Sequence, residues 1–312
     1  MAKLTPDFDS ALQNLSPGQV NEVEMHSFCN LVNIIHAQLE LLEDENEVNA
    51  SVEEALHLTR ELASETRKGN VSIFSLEHFR EYKNMLQRTL HSLEDDTSDE
   101  VRLGEIREAK NLLDSIFTVL DARLKELCER ISDPGGWQVV DIDQLHSEYD
   151  AYFRTQEKNS KGRFRIARNP AEKGADDYLV QLDISSEWGN TLTMPLLFKD
   201  VIRDLVSNAR KYTPAGGTIH MRIRQNNGLL HVSIADNGIG IPEEELPRVF
   251  DYGYRASNAG GIRTMGGGFG LTKALHVVRL FNGDIRIEST PGKGTTITAE
   301  LPLPENLRLN GT

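Results

Sequence analysis

The sequence predicts an α+β protein with two domains, a helical bundle followed by an α/β sandwich. The chain of 312 residues is long enough for two domains. Proline is absent from residue 19 to residue 133, where apolar residues recur at helical spacing, and strand patterns alternate with helical patterns after residue 136. Charge divides the chain at the same place, because residues 1–137 carry 27 acidic and 13 basic side chains whereas residues 138–312 carry 21 of each.

The turn signal Asp133-Pro134-Gly135-Gly136 marks the expected boundary between the domains. It places a helical domain at 16–133, a mixed domain at 134–304 and short tails at 1–15 and 305–312. The acidic excess of the first half argues against nucleic-acid binding, which requires clustered lysine and arginine. The sequence has no apolar run near the ~18 residues of a membrane span and no apolar signal-peptide core, so it predicts a cytosolic protein that does not associate with membranes.

Four amphipathic helices are predicted in the first half. The first begins at the cap pair Ser16-Pro17 and ends near Glu43, the last begins at a Ser98 cap and ends near Ile131, and two inserted helices occupy about 50–94. The first and last helices could pair as an antiparallel hairpin. Because a lone hairpin would leave their apolar stripes partly uncovered, we expect a bundle formed by a homodimer. The stripes consist of Phe28, Leu31, Ile35, Leu39 and Leu42 in the first helix, and of Leu113, Ile116, Phe117, Leu120, Leu124, Leu127 and Ile131 in the last.

A polar line runs along the first helix, opposite its apolar stripe. It consists of Glu22, His26, Asn30 and Asn33, which follow one another at helical spacing. His26 is two residues from Phe28, or about 200° of helical rotation, so it is expected to point away from the stripe. An exposed imidazole beside a carboxylate one turn earlier can present a nucleophilic nitrogen. Taken alone, the line is more typical of a solvated helix face, and His36 is interpreted as a packing residue or a hydrogen-bonding residue at the edge of the stripe.

The second half fits helices on one face of a mixed sheet. Strands are expected at 137–142, 163–167, 178–184, 218–224, 229–236, 284–289 and 295–301, and helices at 143–158, 195–212 and 271–281. The strands are expected to pair as hairpins rather than as a doubly wound sheet.

Three segments in the second half predict a nucleotide site. Asp236-Asn237-Gly238-Ile239-Gly240 combines a carboxylate with two glycines, whose missing Cβ atoms permit close approach of the backbone. It lies between Asn208, in a predicted helix, and Gly266-Gly267-Gly268-Phe269-Gly270-Leu271, before another helix. One such segment would also fit an ordinary turn or surface loop, whereas the ordered trio favours an ATP site.

These segments resemble the ATP-binding domain of sensor histidine kinases. The resemblance covers about 137–304 and extends to the wider superfamily of gyrase-type, chaperone and mismatch-repair ATPases. Residues 204–213 resemble the N box, 236–242 the first glycine box, 249–255 the F box, 266–271 the second glycine box and 292–296 the terminal Gly-x-Gly-Thr turn.

The resemblance implies roles for individual residues. Asp236 would accept a hydrogen bond from the adenine amine, Asn208 would hold Mg²⁺, Lys211 would meet phosphate and Tyr212 the adenine face. The second glycine box would let a lid fold over the phosphates, with the first amides of the following helix facing their charge. The implied ATP-binding set is Asn208, Lys211, Tyr212, Asp236, Gly238, Gly240, Gly266, Gly268, Gly270, Leu271 and Thr295, with Asn208 as the metal ligand.

The resemblance also implies a function for the polar line of the first helix. In this family a helical hairpin before the ATP domain carries a phosphoacceptor histidine with Asn or Thr four residues later, and His26 and Asn30 meet that spacing. The implied activity is that of a cytosolic protein-histidine kinase of a two-component system, which phosphorylates His26 from Mg-ATP and passes the phosphoryl group to an aspartate of a response-regulator receiver domain. Ser27 stands where the family has an acidic residue, so Glu22 or Glu24 would serve as the base, and Asn30 could position water for dephosphorylation. A separate sensor partner is expected to supply the input, unless the helical domain itself does so.

Two alternatives stay open at this stage. One is an ATP-driven conformational clamp of the gyrase or chaperone type; those proteins use a glutamate four residues before the metal-binding asparagine as general base, where this chain has the shorter Asp204. The other is a non-catalytic phosphotransfer or scaffold protein with a relic ATP domain, against which the intact Asn208, Asp236 and glycine boxes argue.

Overall fold

The chain folds into two compact units in the computed structural model, residues 15–134 and residues 135–312 together with 1–14. The structure describes residues 2–4, 17–43, 49–68, 76–132, 136–159, 164–260 and 268–308, and for some helical residues among these it does not describe the side chain. Within the described residues no helix is long and apolar enough to cross a lipid bilayer.

The helical unit contains four helices: α1 (Pro17–Leu42), α2 (Ala50–Lys68), α3 (Leu76–Asp96) and α4 (Glu100–Ser132). Two of their starts have side-chain caps. Asn49 Oδ1 accepts from Ser51 N at 3.0 Å, and Asp99 Oδ1 accepts from Val101 N at 2.9 Å. The prediction that Ser98 caps α4 is therefore wrong, because the carboxylate of Asp99 accepts the hydrogen bond from the free amide of Val101.

The apolar stripes of α1 and α4 are buried within one chain. Ile35, Leu39, Leu120 and Leu124 have no exposed surface. The inserted helices cover them with Val52, Leu56, Phe79, Leu86 and Leu90, which belong to the same core cluster. In the described residues the stripes are thus covered by the inserted helices of the same chain, and the side chains of Leu127 and Ile131 lie outside the described residues. The homodimer stays a prediction, since these buried stripes do not require it.

The mixed unit contains nine strands and four α-helices among the described residues, and strands precede and follow its three longer helices along the chain. The strands are β1 (Ala2–Leu4), β2 (Trp137–Asp141), β3 (Ile166–Ala167), β4 (Tyr178–Ser186), β5 (Thr191–Pro195), β6 (Thr218–Asn226), β7 (Leu229–Asp236), β8 (Asp284–Thr290) and β9 (Gly294–Pro302), and the helices are α5 (Ile142–Asn159), α6 (Leu196–Tyr212), α7 (Gly270–Leu280) and α8 (Glu305–Arg308). Among the described residues a seven-stranded sheet has the order β1-β8-β9-β7-β6-β4-β3, and β2 pairs with β5 in a separate sheet.

The mixed sheet and the helices packed on it confirm the predicted α+β class, with several local differences. The β6–β7 and β8–β9 pairs are antiparallel hairpins as expected, whereas β4 pairs in parallel with both β3 and β6. The chain passes through β5 and α6 between β4 and β6, which lets these two strands run in the same direction. Strand β5 was not predicted, and the strand expected at 163–167 contains only Ile166–Ala167 among the described residues. The expected terminal tails contribute an edge strand, β1, and a short helix, α8.

One core lies between the large sheet and helices α5, α6 and α7. Helix α6 contributes Phe198, Val201, Ile202 and Leu205, all at most 1% exposed. Alternate residues of β6 and β7 face this core, as period-two patterning requires. This packing fixes the C-terminal end of α6 beside the end of β7.

The bundle core supplies a stability test. Leu120→Ala should lower the free energy of unfolding by about 2–5 kcal/mol, because it removes a fully buried side chain and leaves a cavity. Leu41→Ala is the matched control, since Leu41 is 71% exposed on the same unit and its loss should change stability by no more than about 0.5 kcal/mol. Urea unfolding of the full chain, followed by circular dichroism, measures both. Equal effects of the two substitutions would contradict a single-chain bundle.

Candidate nucleotide site

The centre of the candidate site is the carboxylate of Asp236 at the end of β7. Asp236 Oδ1 accepts hydrogen bonds from Gly238 N at 2.8 Å and from Thr295 N at 3.2 Å. Burial raises the pKa of the Asp236 carboxyl, and these two amides offset part of the rise. Oδ2 accepts no hydrogen bond from any described residue, so it is available to a donor on a ligand.

The first glycine loop packs against the end of α6 and against β8. Ile239 N donates to Tyr212 O at 3.0 Å, and a Cβ at Gly238 would overlap that same carbonyl oxygen. Gly240 has a φ of +64°, and a Cβ there would overlap Thr290 O. The two glycines of the predicted motif are therefore required by close backbone contacts within the protein.

Ser289 and Thr295 complete the wall behind Asp236. Ser289 Oγ accepts from Ile241 N at 2.9 Å and donates to Gly294 O at 3.0 Å, while Thr295 Oγ1 lies 2.9 Å from Ser289 Oγ. Sequence reasoning found Thr295 and missed Ser289. Its signal was a small polar residue at a buried position of β8, where the alternating pattern calls for an apolar side chain.

Asn208 lies beside the start of α7. A Cβ at Gly270, the first residue of α7, would stand 3.0 Å from Asn208 Nδ2, so the amide occupies the space that glycine leaves open. Lys211 follows on α6; burial lowers the pKa of its ammonium, and the Asp204 carboxylate raises it in part. Asp204 accepts a hydrogen bond from Lys273 Nζ at 2.9 Å, an ion pair that the sequence did not predict.

The predicted lid spans about 252–267, and its described part, residues 252–260, is held by side-chain contacts. Glu245 accepts from Tyr254 Oη at 2.6 Å and from Ser257 N at 2.9 Å, and hydrogen bonds from these two residues lower the pKa of its carboxyl. Asn258 Nδ2 donates to Gly240 O at 2.8 Å, which connects this segment to the first glycine loop.

Most of the predicted ATP-binding residues come together in the mixed unit. One group surrounds Asp236 and contains Tyr212, Gly238, Gly240 and Thr295; the other surrounds the start of α7 and contains Asn208, Lys211, Gly268, Gly270 and Leu271, and α6 joins the two groups. Gly266 lies outside the described residues. So do the side chains of Glu22, His26 and Asn30, whose backbone belongs to α1 of the other unit.

The donor set suits a metal shared with a ligand. Across the described ranges, no cluster of three or more His, Cys, Asp and Glu residues could hold a metal ion. Mg²⁺ prefers oxygen ligands and is commonly bound by few protein groups together with substrate phosphates. Asn208, at the phosphate end of the predicted site, fits that mode.

Comparison with known proteins finds similarity to histidine kinases and related ATPases. Residues 193–305 match the family model "Histidine kinase-, DNA gyrase B-, and HSP90-like ATPase". The chain is 42% identical over 107 residues to the sensor histidine kinase WalK of Bacillus subtilis, covering 34% of this chain and 18% of that protein. It is 29% identical over 222 residues to the sensor-like histidine kinase SenX3 of Mycolicibacterium smegmatis, covering 70% of this chain and 52% of that protein. The chain thus spans about half the length, or less, of these relatives.

The buried carboxylate leads to a prediction with two readouts from one variant. Asp236→Asn should weaken ATP and ADP binding by about tenfold or more, because a hydrogen bond to a charged group contributes about 1.5–3 kcal/mol. If the oxygen of the new side-chain amide accepts the hydrogen bonds from the two backbone N–H groups, the NH₂ group of that amide faces the adenine amine, and two donors then oppose each other. Titration with a fluorescent nucleotide measures the loss, and the exposed Asp284→Asn is the control. Unchanged affinity in Asp236→Asn would refute this site.

The same variant should stabilise the unliganded protein at pH 7. Burial raises the folded-state pKa of Asp236 above its unfolded value of about 3.9, so ionisation destabilises the fold increasingly as pH rises through the folded pKa. Asparagine keeps an acceptor oxygen and carries no charge. Its advantage in Tm over the parent should therefore be present at pH 7 and shrink toward pH 4, and an advantage that grows on acidification would contradict the sign.

Geometry, motif order and similarity agree on one kind of ATPase domain in the mixed unit. The carboxylate of Asp236, the two glycines after it and Asn208 beside the start of α7 stand in one site, in the order that the motifs predicted. The alignment to SenX3 is longer than residues 135–312 and so reaches into the helical unit. Residues 193–305 therefore form a histidine kinase-, DNA gyrase B- and HSP90-like ATPase domain, and the chain is similar to sensor histidine kinases over the lengths given above.

Proposed function

We propose that the chain is a protein-histidine kinase that phosphorylates His26 from Mg-ATP and passes the phosphoryl group to an aspartate of a response regulator. The observation that carries the proposal is the half-satisfied carboxylate of Asp236. Its Oδ1 is held by two backbone amides, and its Oδ2 is free for the exocyclic amine of adenine. Guanine presents a carbonyl oxygen at that edge, which a carboxylate repels.

The second group of site residues suits the phosphates of the substrate. Asn208 is one helical turn before Tyr212, so adenine at Asp236 and phosphates at Asn208 can belong to one extended nucleotide. The first amides of α7, a helix of 11 residues, attract negative charge, and Lys211 adds a cation. A Mg²⁺ ion held by Asn208 and phosphate oxygens would neutralise charge there.

His26 is proposed as the phosphoacceptor on its spacing from Asn30 and Glu22. One imidazole nitrogen would use its lone pair to form the bond to the γ-phosphorus, the bond to the bridging oxygen would break, and ADP would leave with that electron pair. The proton of the other ring nitrogen would pass to Glu22 or Glu24, and Asn30 would orient water when the phosphoryl group is removed again.

His36, the nearest competing histidine on α1, has contacts that suit a packing residue. Its Nε2 accepts from Arg60 Nε at 3.4 Å and lies 3.3 Å from Glu40 Oε1. Its Nδ1 is buried and has no hydrogen-bond partner among the described residues. One nitrogen is buried and the other contacts two side chains, which favours His26 as the phosphoacceptor.

The alternatives are less well supported. A clamp that hydrolyses ATP needs a free general base, and the carboxylate of Asp204 is paired with Lys273. A relic ATP domain would not need the intact hydrogen bonds of Asp236. The homodimer, a sensor partner and the cytosolic location stay predictions from the sequence.

Labelling with γ-phosphate-labelled ATP tests the proposal. His26→Gln should abolish incorporation into the full chain while nucleotide affinity is unchanged, and His36→Gln, as the matched control on the same helix, should retain most of the label. The wild-type label should be lost in acid and kept in base, as for a nitrogen-linked phosphoryl group. Label that survives in His26→Gln would contradict the assignment, and loss in His36→Gln instead would transfer the role to His36.

A further inference from the structure

The ammonium of Lys273 is buried at the start of α7 and paired with carboxylates of α6. The side chain is 1% exposed, and its Nζ lies 2.9 Å from Asp204 Oδ2 and 3.8 Å from Asp200 Oδ2. Asp200 Oδ1 also accepts from Arg203 Nη1 at 3.1 Å. Asp204 is therefore the carboxylate to which Lys273 donates its short hydrogen bond.

Asp204 borders the part of the candidate site that is proposed to hold the phosphates. It precedes Asn208 by one helical turn, on the same face of α6. A Cβ at Gly270 would stand 3.0 Å from Asn208 Nδ2 and 3.8 Å from Asp204 Cβ, so both side chains border the first residue of α7. The Asp204 side chain is 23% exposed, which leaves it accessible to water.

A carboxylate at that place has an evident chemistry if nothing holds it. It can take a proton from a water molecule as the water oxygen forms a bond to the γ-phosphorus, while the bond to the bridging oxygen breaks and ADP leaves. Water would then compete with histidine for the phosphoryl group.

We propose that Lys273 determines acceptor specificity by holding Asp204 in the ion pair, so that the γ-phosphoryl group goes to histidine rather than to water. Lys273 acts through Asp204 and is a positioning residue. The inference rests on the proposed function, because it concerns the same bound ATP.

The burial of Lys273 favours a positional role over a stabilising one. The neighbouring residues Thr272, Ala274 and Leu275 have no exposed surface, so the position belongs to the core, where an apolar side chain would fit. A buried ion pair has to offset the desolvation of both charges and is often no more stabilising than a well-packed apolar pair. The geometry that it imposes on Asp204 is then its distinctive effect.

Phosphate release from ATP by the full chain tests the inference in the His26→Gln background, where the histidine acceptor is absent. Lys273→Met should raise release by about tenfold or more, since general-base catalysis typically contributes 10²–10⁴-fold. Adding Asp204→Asn should return release to the parent level. Damage to the fold would lower activity, so a gain that depends on Asp204 separates positioning from structure.

Lys199→Met is the matched control. Lys199 is also buried in the same unit, and its ammonium pairs with Glu148 at 3.4 Å, away from the site residues. Its loss should leave phosphate release unchanged. An equal rise in Lys199→Met would overturn the inference, as would the absence of a rise in a folded, nucleotide-binding Lys273→Met protein.

Asp204→Glu with Lys273 intact keeps the test decisive if Lys273→Met does not fold. The longer carboxylate can still pair with the ammonium, so release should stay at the parent level, and a tenfold rise would overturn the inference. Nucleotide titration of the same proteins separates the two proposals. If the His26→Gln protein does not bind ATP, the proposed function is refuted. If it binds ATP normally but Lys273→Met does not raise phosphate release, only the role of Lys273 is refuted.

Discussion

The seating of one buried carboxylate constrains the rest of the mixed unit. Asp236 Oδ1 accepts hydrogen bonds from the amides of Gly238 and Thr295. Both amides reach it only because the chain turns sharply after β7 and again before β9. Gly294 has a φ of +103°, and a Cβ there would overlap Asp236 O. Burial disfavours the charge of Asp236, and the backbone packs around this carboxylate too closely to admit further side chains. This arrangement is expected where a ligand supplies the hydrogen-bond donor that Oδ2 lacks.

Helix α6 sets the distances within the site. Asp204, Asn208 and Tyr212 follow one another at intervals of four residues, about 6 Å along a helix. One rigid helix therefore sets the distances between the Asp204 carboxylate, the Asn208 amide and Tyr212, which is expected to lie beside the adenine. Its apolar face fixes it on the sheet, and the Lys273–Asp204 pair ties it to the start of α7. For the proposed kinase activity such rigid placement is important, because phosphoryl transfer depends mainly on positioning and on charge stabilisation.

Local sequence patterns predicted many of the helices, strands and site residues. They could not predict which residues pair when these lie far apart in the sequence. Strand β7 has its predicted bounds because alternating residues and the Asp-Asn-Gly turn define it locally. Strand β1, by contrast, is three residues long and is formed by pairing with β8, and Lys273 meets Asp204 across 69 positions of sequence. The apolar stripe of α1 was visible, but the sequence could not say that α2 and α3 of the same chain cover it. Lys273 left one signal, a cation that interrupts the apolar pattern of α7.

Calorimetric titration of the full chain with Mg-ATP and with Mg-GTP tests the central claim most directly. The free Oδ2 of Asp236 can accept from the exocyclic amine of adenine and repels the carbonyl oxygen at the same edge of guanine. The account predicts that ATP binds at least about tenfold more tightly than GTP, since a hydrogen bond to a charged group contributes about 1.5–3 kcal/mol. Equal affinity for the two nucleotides would contradict it.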